Sequence, residues 1–196
     1  EGKGVFADSS ANVTVSGEQN YIANSFADEQ TGNGSYALHA NNKGEIKVKG
    51  NSNTIIGDTE AVLSDKGGIV NISGTNNYIA NSSGNTSGIA TLSDKENYAL
   101  HAVKGSTINV TALNDGINEI YSDGYRTVFA DAGANLDVLG TANDSTININ
   151  GAVKIVNKNA LTNTGTYKIA IVAADEGTIL DSFEEYYKKG IVNIDL

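Results

Sequence analysis

The chain has only two histidines, His39 and His101, and each sits in the same pentapeptide, YALHA, at residues 36–40 and 98–102. Matched imidazoles are what a metal site or an acid–base pair would use. Carboxylates recur in a similar way: Asp8, Asp65 and Asp131 close the matched stretches VFAD, VLSD and VFAD. An acidic row of that kind suits calcium or acid–base work on sugars. The sole arginine, Arg126, follows Asp123 in DGYRTVF. An acid near a base on an outer strand face is what a polysaccharide lyase or hydrolase would need. Tyr21 and Tyr78 hold the same place in two copies of NYIANS, where exposed rings would stack on sugars or pair with a like molecule.

Whether any of these groups meet depends on the elements that carry them. Residues 5–25 align without a gap to residues 62–82, and a third copy opens at residue 128. A half-unit on the same plan runs from Tyr36 to Asp58, so the underlying period is about 25–35 residues with variable inserts. Each half-unit reads as three short strands. The first is expected to hold a large apolar residue in one register: Phe6, Leu38, Leu63, Leu100 and Phe129. The second alternates, from Val13/Val15 through Ile46/Val48, Val70/Ile72 and Ile108/Val110 to Leu136/Val138. The third centres on Ile22, Ile55, Ile79, Ile120 and Ile147. Gly17, Gly50 and Gly74 each stand three residues before Asn20, Asn53 and Asn77. That spacing marks a repeated corner, in which Gly takes the left-handed turn and Asn opens the next strand.

Period-two alternation buries one face of each strand. Three one-sided strands per repeat, at constant offsets, predict an all-β parallel β-helix (a β-solenoid) of about six three-strand coils. The coils stack ~4.8 Å apart, and residues 1–196 form one solenoid segment. A β-sandwich also has regularly spaced strands, but hairpins do not explain why the same turn chemistry returns at the same place in every unit. The inserts at 26–35 and 83–97 both follow a third strand and are expected at the same corner. One short helix is expected near residues 182–189, in DSFEEYYKKG, where Asp181 and Glu184 suit the start and Gly190 the stop.

Composition narrows the function. Pro, Cys, Met and Trp are absent and there are 22 Gly, a mixture that favours strands joined by tight turns. A formal charge of −10 with 13 basic residues, none in a run, argues against nucleic acid and against an anionic membrane surface. No stretch approaches the ~18 apolar residues of a membrane helix. Without Cys there is no disulfide, thiolate nucleophile or Cys-ligated zinc.

In such a solenoid His39 and His101 follow the inward Leu38 and Leu100, so both are expected to point into solvent. Ser64 is expected at the matching position of the intervening coil, and Ala170 in a later copy. Two rungs separate the imidazoles by roughly 9–10 Å, too far to share one ion. Tyr36 and Tyr98 have the parity of the leucines and are expected to close a corner of the core. The aspartates are also two coils apart and lack the GGxGxDxUx calcium pattern, so they read as turn caps. Arg126 with Asp123 reads as a surface ion pair. No GxSxG or GDSG context surrounds a serine, and TGNGS lacks the GK[ST] ending of a phosphate loop. No catalytic residue, metal or cofactor is expected. Tyr21 and Tyr78, with Asn20, Asn24, Asn77 and Asn81 around them, remain as candidate surface contacts.

The coils, rich in Asn, Gly, Thr and Ser and of the type GGIVNISGTNNYIA (residues 67–80), together with the acidic charge and the absence of Cys, resemble the passenger domains of Gram-negative autotransporter adhesins. More loosely, they resemble the β-helical exoproteins of two-partner secretion. The resemblance covers nearly the whole chain in style. It implies a piece of a longer passenger, exported across the outer membrane to the bacterial cell surface or secreted. The absence of a start Met and of an opening signal peptide is what an excised or mature segment would show. The resemblance further implies a role in adherence, self-association or biofilm formation. The expected partners are a host or bacterial surface glycan or protein, or a second copy, with no membrane insertion by this segment. The competing expectation is a polysaccharide lyase or hydrolase working on an outer strand face.

Overall fold

The computed structural model describes residues 2–24, 35–81, 98–114, 116–122, 126–130, 145–150, 153–157 and 192–195. Its strands form three parallel sheets, and successive strands of the chain pass from one sheet to the next. The first sheet stacks β1 (Gly2–Ala7), β4 (Ser35–Ala40), β7 (Glu60–Ser64), β10 (Tyr98–Ala102) and β13 (Arg126–Ala130). The second stacks β2 (Asn12–Ser16), β5 (Glu45–Lys49), β8 (Ile69–Gly74), β11 (Thr107–Ala112), β14 (Thr146–Asn150) and β16 (Val192–Asp195). The third stacks β3 (Tyr21–Asn24), β6 (Thr54–Gly57), β9 (Tyr78–Asn81), β12 (Asn118–Ser122) and β15 (Val153–Asn157). The chain is a parallel β-helix, described through five three-strand coils and one strand of a sixth.

One continuous core runs along the axis. In the second sheet Ile46, Val70, Ile108 and Ile147 stack in one inward column, and Val48, Ile72, Val110 and Ile149 in the next. The third sheet contributes Ile55, Ile79 and Ile120. Each buried side chain of this size is worth about 1.5–3 kcal/mol. The corners explain the composition. Between first and second strands the chain makes two successive left-handed residues: Ser9–Ser10, Asn42–Lys43, Lys66–Gly67 and Lys104–Gly105. Between second and third strands Gly17, Gly50 and Gly74 have φ of 114°, 124° and 139°. A β-carbon on Gly50 would run into the carbonyl of Gly17 one coil away, so only glycine fits that stack.

Two parts of the expected register are corrected. Phe6 pairs with His39, Leu63 lies between His39 and His101, and Phe129 pairs with His101. The inward column is instead Val5, Leu38, Val62, Leu100 and Val128. The larger apolar residue of each pair looked like the core residue, but the narrow interior takes the valine. Ser64 pairs with Ala40 and Ala102, not with the histidines. Ile147 belongs to the second sheet beside Ile108, and the third strand of that coil is β15, with Ile155 beside Ile120. Residues 131–144 intervene between β13 and β14, so Leu136 and Val138, expected on the second strand, lie outside the described residues, as does the expected helix near 182–189. Residues 25–34 and 82–97, outside the described residues, both fall in sequence between a third-sheet and a first-sheet strand, the connection that Asp58 and Thr59 alone make between β6 and β7.

Candidate functional site

The histidines stand on the outside of the first sheet, but solvent does not surround them. His39 is 7 % exposed, and the His101 side chain 15 %. Their expected solvation is corrected by the aromatic rings beside them. His39 packs 5.1 Å from Phe6 and 5.1 Å from Tyr36. His101 lies 4.4 Å from Tyr98 and 4.8 Å from Phe129, and Tyr98 itself stacks on Phe129 at 5.2 Å. Tyr36 and Tyr98 reach this outer cluster because strand alternation slips. Ala37 and Leu38 are consecutive and both enter the core, as do Ala61 with Val62 and Ala99 with Leu100. The slip moves residues 36 and 98 from the inner face to the face of the histidines, so neither tyrosine closes a corner of the core.

A carboxylate completes the cluster. Glu60, almost fully buried, holds its register between Tyr36 and Tyr98, and its Oε1 lies 2.9 Å from His101 Nδ1. With the proton on Nδ1 the ring donates to the carboxylate, which fixes both tautomer and ring orientation, as an orienting acid does for a catalytic base. Nε2 is buried, with no hydrogen-bond partner among the described residues. Leu63 separates His39 from His101. Among the described residues no three of His, Asp and Glu come together to hold a metal.

The corner row that begins with Asp8 continues with Asn41, Asp65 and Val103. Asp8 Oδ1 accepts from the Ser9 amide at 2.8 Å and from Asn41 Nδ2 at 3.1 Å, one coil on. Asp65 Oδ1 lies 3.4 Å from Lys104 Nζ. The Asp8 hydrogen bonds and the Asp65 ion pair are contacts that shape a corner. Asp131 lies outside the described residues, and so does Asp123, the partner expected for Arg126 at the start of β13.

Tyr21 and Tyr78 share one outward column of the third sheet, with Thr54 between them. Tyr21 is 70 % exposed. Tyr78 is half-buried, and its ring lies 6.3 Å from that of Tyr121 on the next coil, a neighbour with no counterpart in the repeat. The asparagines near them do not line a groove. Asn77 and Asn81 are buried, and Asn20 and Asn77 belong to a ladder along the corner. Asn53 Oδ1 accepts from the amide and Nδ2 of Asn20 at 3.0 and 2.9 Å. Asn77 Oδ1 accepts both bonds from Asn53 at 3.0 Å, and Asn118 Oδ1 accepts the Asn77 amide at 2.9 Å. A second ladder runs outside the second sheet: Asn148 Nδ2 donates to Asn109 Oδ1, and Asn109 Nδ2 to Asn71 Oδ1, at 2.8 and 2.7 Å. The constant Gly-x-x-Asn spacing signals the first ladder. The Asn at the centre of VNI, INV and INI signals the second.

Comparison of the chain with known protein families, curated proteins and solved structures gives no match.

Proposed function

We propose that this chain is a stiff adhesive segment of an exported bacterial surface protein, of the passenger-domain kind that its coils resemble. The observation that carries this reading is the contrast between the two sides of each sheet. Inward positions and corners repeat from coil to coil, while outward positions outside the asparagine ladder vary. The outward column of the third sheet reads Tyr21, Thr54, Tyr78 and Glu119, and the first outward column of the second reads Asn12, Glu45, Ile69, Thr107 and Thr146. A scaffold whose core sets length and whose outer faces vary suits contact with a surface glycan or protein. Among the described residues Tyr21 is the most exposed ring, and Tyr78, in the same outward column, is partly covered. The test is retention of bacteria or epithelial cells on beads coated with the purified chain, with a glycan array in parallel. Specific retention, reduced by Tyr21→Ala, is the expected result. Beads that retain nothing beyond an albumin control would overturn the proposal.

A further inference from the structure

On the outer face of the second sheet three side chains of different chemistry meet at one carboxylate. Lys47 on β5 and Asn71 on β8 are register partners on neighbouring coils. Lys47 is the one amine in a central outward column that otherwise reads Thr14, Asn71, Asn109, Asn148 and Asn193. Glu45, two residues before Lys47 on the same face of β5, bridges the pair. Its Oε2 accepts from Lys47 Nζ at 2.8 Å and its Oε1 from Asn71 Nδ2 at 2.9 Å. An ionised carboxylate accepts and does not donate, so the amide nitrogen of Asn71 is the atom turned toward it. The amide oxygen, Oδ1, accepts instead from Asn109 Nδ2 at 2.7 Å, and Asn109 is held in turn by Asn148. As a simple ion pair, with side chains 37 % and 24 % exposed, Lys47 and Glu45 would contribute little to stability.

These four groups are the parts of an acyl transfer from one nitrogen to another. There is an amine nucleophile with a base beside it, and an amide whose leaving nitrogen rests on the second oxygen of that base. A donor sits on the oxygen where negative charge would develop. We infer that Lys47 and Asn71 join in an intramolecular isopeptide bond, with Glu45 carrying the proton. Nζ, once it has given a proton to solvent, attacks Cγ of Asn71 and a C–N bond forms, while Oδ1 takes up charge against Asn109 Nδ2. Glu45 then passes one proton from Nζ to Nδ2, the Cγ–Nδ2 bond breaks, and ammonia leaves. One amide replaces another, so the step needs no oxidant, reductant or cofactor. Holding both side chains on a single carboxylate supplies the proximity that an unactivated amide requires. The bond ties coils two and three together across their outer face, in a chain that has no cysteine for a disulfide. It does not depend on the adhesive reading, because it concerns the joining of coils and not a ligand.

The attacking form is the neutral amine, so the reaction quickens in alkaline buffer. The charged groups on this face of β5 are Glu45, Lys47 and Lys49, and the neighbouring strands present Asn12, Thr14 and Ser16 on one side and Ile69, Asn71 and Ser73 on the other. Intact mass of the purified chain, read on isolation and through prolonged incubation in mildly alkaline buffer, tests the inference. The expected result is loss of the mass of one ammonia, with a branched peptide joining β5 to β8 after proteolysis. Lys47→Arg and Asn71→Ala, both on the outer face, should fold by circular dichroism and keep their full mass, while Lys49→Arg should react as the parent does. Glu45→Gln should slow the loss at least about tenfold. The linked chain should also unfold at higher urea than Lys47→Arg, because a closed loop restricts the unfolded state. The proposal is overturned by a parent chain that keeps its full mass, or by a mass loss that survives Lys47→Arg. Ammonia lost without a branched peptide, as a succinimide at an asparagine would give, overturns it too, as does a Glu45→Gln variant that reacts as fast as the parent.

Discussion

Asn53 is held by the coil on either side of it. It accepts two bonds from Asn20, gives two to Asn77, and its Nδ2 also donates to the Gly50 carbonyl at 3.0 Å. Replacing it with alanine leaves the Asn20 amide and Nδ2 without their acceptor and the Gly50 carbonyl without that donor, while the residue-53 amide still donates to Asn77 Oδ1. The expected cost in urea denaturation is about 2–3 kcal/mol, against less than about 0.5 kcal/mol for Lys49→Ala on the exposed side of β5. The pair of His101 and Glu60 makes a similar demand on the outer face of the first sheet. Removing either partner leaves the other buried in an aromatic surround. A double-mutant cycle with His101→Phe and Glu60→Gln should return a coupling of about 1 kcal/mol or more, and a coupling near zero would show that the two side chains do not act together.

At the scale of elements the corners are more demanding than the strands. Gly50 and Gly17 occupy the same corner position with nearly the same φ, yet only Gly50 has a coil stacked against its α-carbon. Gly17→Ala bears backbone strain alone, on the order of 1–2 kcal/mol. Gly50→Ala bears the same strain and also drives two coils apart. Its denaturation midpoint should fall well below that of Gly17→Ala, or the protein should fail to fold. Equal midpoints would mean that the coils are not in the close register described. The alternation slip at Ala37, Ala61 and Ala99 is the other decision made at this scale. It widens the inward face of the first sheet by one small residue, and it turns a tyrosine or glutamate outward to meet the histidine column.

For the whole molecule, stability follows the stack, because each coil contacts only its neighbours. Coil three, with full neighbours on both sides, should hold its amides longest in hydrogen exchange. Ile72→Ala, fully buried between Val48 and Val110, should cost about 2–5 kcal/mol. Val13→Ala, half-buried with one stacked neighbour, should cost about 1 kcal/mol or less. A uniform cost along the stack would argue for a single cooperative core without weak ends.

Much of this architecture is legible in the residues themselves. Period-two alternation in Val13/Val15, Ile46/Val48 and Val70/Ile72, together with the Gly-x-x-Asn corners, determines a parallel solenoid. Both are local patterns, and the solenoid repeats the same local solution in every coil. Local pattern stops deciding the structure where contacts between coils begin. Whether Val5 or Phe6 fills the core depends on the width of the interior, which no single strand specifies. The outward tyrosines of the first sheet depend on a one-residue slip that strict alternation does not register. Glu60 carries no motif, since only stacking brings it to His101 across 41 residues of sequence. The histidines of YALHA were a repeated pattern in the sequence. Their burial among rings, and the carboxylate that orients one of them, were decided by which coil lies on which, because contacts along the stack join residues that the chain order keeps apart.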